Sequence, residues 1–125
     1  VEQHESHVDL KTERLTARVN LATGAVAFFD AAGNPILAEA DRGALGPVID
    51  EPGPVDPDSY SIQQSFVVGD DEGFYGLGQQ QNGVVNFAGQ DVELTTHNLV
   101  IAIPFVVSSK NYGVLWNNAS VSRFG

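Results

Sequence analysis

Cysteine is absent from this sequence, and so is methionine. Without thiols there is no disulfide framework and no thiolate metal centre, although the compartment stays open because exported bacterial proteins also lack cysteine. Positive charge is scarce: six Lys and Arg stand against sixteen Asp and Glu, for a net charge of −10. Phosphate binding needs clustered cations, so nucleic acid is excluded as a partner, and an anionic membrane surface with it. A neutral ligand such as a sugar is left. Long apolar runs are missing too: the longest, Leu99–Val107, contains Pro104 and is far too short to span a bilayer. No signal-peptide pattern is present; an exported bacterial protein is the favoured reading, and the compartment itself is not fixed. Helical periodicity over three turns occurs nowhere.

What is there is enough for one domain. The 125 residues, 42% hydrophobic and 18% charged, fit a globular chain with a real core. The start at Val1 and the end at Arg123-Phe124-Gly125 read as cuts from a longer polypeptide. Residues 1–8 have few apolar partners and read as a frayed lead-in. His4 and His7 invite a metal reading, but two histidines lack the further ligands that zinc requires, so no metal is expected. From Leu15 the chain alternates, Leu15, Ala17, Val19 and Leu21 on one face and Thr16, Arg18 and Asn20 on the other, the period of a half-wet strand. Turns at Ala22-Thr23-Gly24 and at Ala31-Ala32-Gly33-Asn34-Pro35 make a meander of Leu15–Leu21, Ala25–Asp30 and Ile36–Ala40.

Residues 41–59 hold seven Gly and Pro, which leaves a long loop rather than a helix or a central strand. Tyr60–Val68 reads as a strand, and Gly69-Asp70-Asp71-Glu72-Gly73 as a solvated turn that lacks the ligand spacing of a calcium loop. Gly76-Leu77-Gly78 reads as a turn; it lacks the third glycine of a dinucleotide fingerprint and the lysine of a phosphate loop. Leu99–Val107 and Tyr112–Trp116 are apolar strands. With eight to ten short strands, the expected fold is an all-β, two-sheet antiparallel β-sandwich. Its predicted core is Val19, Phe66, Leu94, Ile101, Ile103, Val114 and Trp116.

Uncharged hydrogen-bonding side chains concentrate in two places, Gln79-Gln80-Gln81 and Thr95-Thr96-His97-Asn98. His97 has no serine nucleophile at a known spacing, so triad chemistry is unsupported; a sugar contact and a strand-end loop residue are both open to it. No pair of carboxylates stands out as the couple that glycoside hydrolysis needs. No catalytic residue and no cofactor is therefore expected within the chain. Asn118-Ala119-Ser120 fits the glycosylation acceptor pattern, which is frequent by chance.

Phe66 followed by Gly73-Phe74-Tyr75-Gly76-Leu77-Gly78-Gln79 resembles a signature of glycoside hydrolase family 31. Asn98, Ile103-Pro104-Phe105, Ser108-Ser109 and Tyr112-Gly113-Val114-Leu115-Trp116-Asn117-Asn118 resemble a second block of that family, in the same order and spacing. One departure is Glu72-Gly73-Phe74, where the family usually has glutamate directly before the aromatic pair. The resemblance implies the galactose-mutarotase-like N-terminal β-sandwich of a retaining α-glycosidase, as one domain over residues 1–125. The two catalytic aspartates would lie on a (β/α)₈ barrel outside this sequence. The sandwich would pack on that barrel and lend Thr95–Asn98, joined by Gln79–Gln81, to the sugar-binding rim. Gly78-Gln79, Gly83, Asn86 and Gly89 are most similar to the α-xylosidase group, which implies an α-linked oligosaccharide, xyloglucan-type or a gluco-oligosaccharide, as partner; α-glucosidases share the scaffold. The alternative is a free-standing carbohydrate-binding module, which needs an exposed aromatic platform, whereas Trp116 falls in an apolar run.

Overall fold

A computed structural model describes residues 1–40, 44–47 and 58–125. Among them every strand pairing is antiparallel and no helix occurs, as the alternating sequence predicts. Thirteen short strands are described, and they fall into two compact units, residues 1–68 and 69–125.

The first unit holds β1 (Glu2–Gln3), β2 (His7–Lys11), β3 (Leu15–Asn20), β4 (Val26–Asp30), β5 (Pro35–Glu39), β6 (Ala44–Pro47), β7 (Tyr60–Gln63) and β8 (Phe66–Val67). Six of these make one sheet in the order β1-β2-β3-β4-β5-β8, with β6 and β7 as a separate ribbon. The meander turns form where the sequence placed them. Asn20 Oδ1 accepts the N–H groups of Ala22 and Thr23 at 2.9 and 3.1 Å, and Asp30 Oδ1 accepts those of Ala32 and Asn34 at 2.9 and 2.8 Å. Short side chains thus stand in for the missing ladder bonds at each corner.

Two expectations in this unit are corrected. Residues 1–8 do not fray: Glu2 pairs with Asp9 and Gln3 with Val8, so the N-terminus forms a β-hairpin. Tyr60–Val68 is not one strand but two, β7 against β6 and β8 against β5, with Gln64 and Ser65 between them. Ala44–Pro47 is consequently an edge strand; the rest of the predicted 41–59 loop, apart from Asp58 and Ser59, lies outside the described residues.

The second unit holds β9 (Phe74–Gln79), β10 (Val92–Leu94), β11 (Ile101–Ser108), β12 (Gly113–Leu115) and β13 (Ser122–Phe124). A three-stranded sheet runs β12-β11-β9, and β10 pairs with β13. Leu77, Phe87, Val92, Leu94 and Val106 form its core, with Phe74, Ala102, Val114 and Phe124 packed against them.

Gly76-Leu77-Gly78 is not a turn; it lies inside β9, and all three residues have positive φ, 118°, 59° and 86°. Opposite them β11 takes a register shift between Ala102 and Val106. A Cβ on Gly78 would stand 2.0 Å from the Ile101 carbonyl oxygen, and one on Gly76 2.7 Å from that of Phe105. The glycines let two backbones approach through the bulge, and they let Leu77, only 2% exposed, turn into the core.

Along β11 the predicted core face is reversed. Val106 and Ser108 point inward, while Ile101 and Ile103 remain 52% and 49% exposed. Leu94 is buried as expected, and Val19, Phe66, Val114 and Trp116 are half-buried. A run that is apolar on both faces carries no alternation to fix which side is in.

Candidate functional site

Antiparallel pairing brings the two amide- and hydroxyl-rich segments to one place. Gln79, the last residue of β9, pairs with Ile101, the first of β11. Gln79–Gln81 therefore leaves the sheet at the end where Thr95–Asn98 enters it. There the chain makes a two-residue hairpin: His97 N–H donates to the Val100 carbonyl at 3.0 Å, and Val100 N–H to that of His97 at 2.9 Å. Asn98 and Leu99 form its tip.

The seven predicted side chains separate into two groups. Thr95 donates to Glu93 Oε1 at 2.9 Å, Thr96 Oγ1 accepts the Ala102 N–H at 3.1 Å, and Gln80 Nε2 donates to the Leu77 carbonyl at 2.9 Å. These three shape the backbone. Gln79, Gln81, His97 and Asn98 are exposed and make no side-chain hydrogen bond among the described residues. Each amide offers donors and acceptors without charge, which suits sugar hydroxyls. No carboxylate occurs in either segment, so the patch can bind and orient but has no acid–base pair of its own.

Beside this end lies an apolar surface. Tyr75, Ile101, Ile103, Phe105, Val107 and Leu115 are each 40–61% exposed, on the face of the β12-β11-β9 sheet opposite the Val106 side.

At the other end of β9 and β11 sits a polar cluster that sequence reasoning missed. Glu72 and Ser108 are 8% and 3% exposed, and the Ser108 hydroxyl donates to the Glu72 carboxylate. The second Glu72 oxygen accepts the Gly69 N–H at 3.2 Å, Gly73 N–H donates to Ser109 Oγ at 3.0 Å, and Ser109 N–H returns to the Gly73 carbonyl at 2.9 Å. Burial works against the Glu72 charge, but Ser108, Tyr112 and the Gly69 N–H outweigh it and hold the carboxyl below its ordinary range. The Tyr112 hydroxyl is shut in nearby without a hydrogen bond of good geometry; burial, and then Glu72, push it up to about 12. The predicted solvated turn thus has one buried acid, Glu72, while Asp71 stays outside and pairs with Lys110 at 2.8 Å. The only sequence signal was Glu72 beside a glycine and two serines that recur in order downstream.

The family model for the glycosyl hydrolase 31 N-terminal galactose mutarotase-like domain matches residues 1–124. An α-xylosidase of Saccharolobus solfataricus is 38% identical over 50% of this chain and 10% of its own length. α-Xylosidase A of Aspergillus niger is 33% identical over 51% and 9%. The crystal structure of a family-31 α-xylosidase from Xanthomonas citri superposes with a TM-score of 0.88 at 39% identity, covering 98% of this chain and 13% of that one. A family-31 dextranase of Flavobacterium johnsoniae, 23% identical over 98% of this chain and 15% of that one, shares the fold with a TM-score of 0.74. The chain spans about a tenth of the length of the curated relatives it matches.

Proposed function

The chain belongs to the glycosyl hydrolase 31 N-terminal galactose mutarotase-like domain family, and on that premise we propose that it serves as the non-catalytic sandwich of a retaining α-glycosidase of the α-xylosidase type. It packs on the enzyme's catalytic barrel and lends Gln79, Gln81, His97 and Asn98 to the rim of the sugar site. The observation that carries this reading is the convergence of Gln79–Gln81 and the His97–Val100 hairpin at one end of β9 and β11. The adjoining apolar face supports a large covering body: six big side chains, from Tyr75 to Leu115, stand in water here, where each would gain on burial about 25 cal/mol per Å². The substrate we propose is an α-xyloside of xyloglucan type before a gluco-oligosaccharide, a reading supported by relatives that are α-xylosidases.

The test is turnover of an aryl α-xyloside and an aryl α-glucoside by the full-length protein and by the 125-residue chain. The full-length protein should prefer the xyloside, and the chain alone should release nothing above a blank. Preference for the glucoside would replace α-xylosidase by α-glucosidase, and turnover by the chain alone would contradict its non-catalytic role.

A further inference from the structure

The N-terminal hairpin gathers the metal-ligating side chains of His4, His7 and Asp9 into one cluster. His4 opens the turn between β1 and β2, and its N–H donates to the His7 carbonyl at 2.9 Å. That turn stacks the two imidazoles, with centroids 4.4 Å apart and planes 21° apart. His7 and Asp9 are two positions apart on β2, so they share a face of the strand. One ligand atom from each of His4, His7 and Asp9 lies within 4.8 Å of the others. Two histidines alone lack the further ligands that zinc requires, and folding adds Asp9 to them.

We propose that His4, His7 and Asp9 form a binding site for a zinc-like divalent transition ion. Two imidazole nitrogens and one carboxylate oxygen, with water as fourth ligand, is a donor set suited to zinc. Asp9 is prepared for the role. It is 1% exposed, and Arg18 Nε and one terminal nitrogen hold its two oxygens at 2.8 and 2.9 Å. A carboxylate has about four lone-pair sites, so this fork fixes the group and leaves capacity on Oδ1, which already faces His7 Nε2 at 3.7 Å. Ligands of a tetrahedral zinc stand roughly 3.4 Å apart, from metal–ligand distances of about 2.0–2.2 Å. The remaining closure falls on His4, whose side chain is 45% exposed and able to swing. The neighbouring charges cancel: Lys11 lies 3.9 Å from Asp9 and Arg18 forks it, while Glu2 lies 3.9 Å from His4. Among the described residues no strongly anionic cage surrounds the site, so selectivity for imidazole-seeking ions over calcium or magnesium follows.

The experiment is isothermal titration of the full chain with zinc chloride and, separately, magnesium chloride. The sequence has three histidines, so His97→Ala, at the one histidine outside the cluster, serves as a control. One zinc should bind per chain, magnesium should not compete, and His97→Ala should leave the affinity unchanged. His4→Ala and His7→Ala should each weaken zinc binding by about tenfold or more. Asp9→Asn should do the same, with its melting curve recorded to confirm that the hairpin still folds; if it does not fold, the two histidine variants carry the test. No zinc binding, or binding that survives both histidine variants or passes with His97→Ala, would overturn the proposal.

Discussion

The Ser108 hydroxyl donates to the buried Glu72 carboxylate across 36 residues of sequence, tying the turn before β9 to the end of β11. The bond lies at the end of the sheet remote from the hairpin tip, so it fixes the β9–β11 pair from which Gln79 and the proposed rim hairpin extend. In this chain Glu72 before Phe74-Tyr75 and Ser108-Ser109 before Tyr112 are therefore the two halves of one structural clasp.

Removing one partner of this clasp leaves the other buried and unpaired. Ser108→Ala and Glu72→Gln should each destabilise the fold by roughly 1–3 kcal/mol. Tyr112→Phe removes one group that supports the Glu72 carboxylate, but its hydroxyl lacks a hydrogen bond of good geometry, so the loss should be smaller, below about 1 kcal/mol. Urea unfolding of the three variants checks this; equal losses for all three would contradict the assignment of partners.

The glycines of β9 differ in kind from those of the meander turns. Gly78→Ala meets the Ile101 carbonyl oxygen at 2.0 Å as well as an unfavourable φ of 86°, and should cost roughly 2–6 kcal/mol. Gly24→Ala has a φ of 75° and nothing within 4 Å, so only the backbone term of about 1 kcal/mol remains. The gap between their urea midpoints measures the close approach.

Stability should fall at both ends of the pH scale. Asp9 is held down to about 2 by its Arg18 hydrogen bonds, and Glu72 is also lowered. The unfolded chain binds these protons more tightly, so the stabilisation is in place above the ordinary carboxylate range and is lost as pH falls toward 2. Tyr112 is shifted the other way, up to about 12. Its contribution is complete below about pH 10 and is lost as pH rises through 12. Asp9→Asn should flatten the acid limb of a Tm–pH profile, and Tyr112→Phe the alkaline limb.

Much of this was legible in the sequence. Alternation at Leu15–Leu21 and short polar turn residues at Asn20 and Asp30 specify the meander pairing locally, but not its burial: Leu15 and Leu21 are exposed, and Thr16 and Arg18 are half-buried like Ala17 and Val19. The two neutral segments are visible as composition, but only the Gln79–Ile101 pairing shows that they lie at the same end of β9 and β11. What could not be read depends on partners distant in sequence. Ile101 and Ile103 sit in a run apolar on both faces, so burial follows from the register with β9 and not from pattern. Glu72 looks like its neighbours Asp70 and Asp71 until Ser108 is brought beside it. Gly76-Leu77-Gly78 has turn chemistry, and only the opposing bulge in β11 shows why that chemistry lies inside a strand.

The central claim is that the His97–Val100 hairpin belongs to a sugar-binding rim, and kinetics of His97→Ala and Asn98→Ala in the full-length protein test it most directly. Each loses a neutral hydrogen bond at a wet surface, worth about 0.5–1.5 kcal/mol, or roughly threefold to tenfold in kcat/KM on an α-xyloside. Because neither side chain makes a hydrogen bond within the described residues, Tm should hardly move. A drop in kcat/KM at constant Tm is the predicted result; unchanged kinetics with a lowered Tm would make the hairpin a strand end and nothing more.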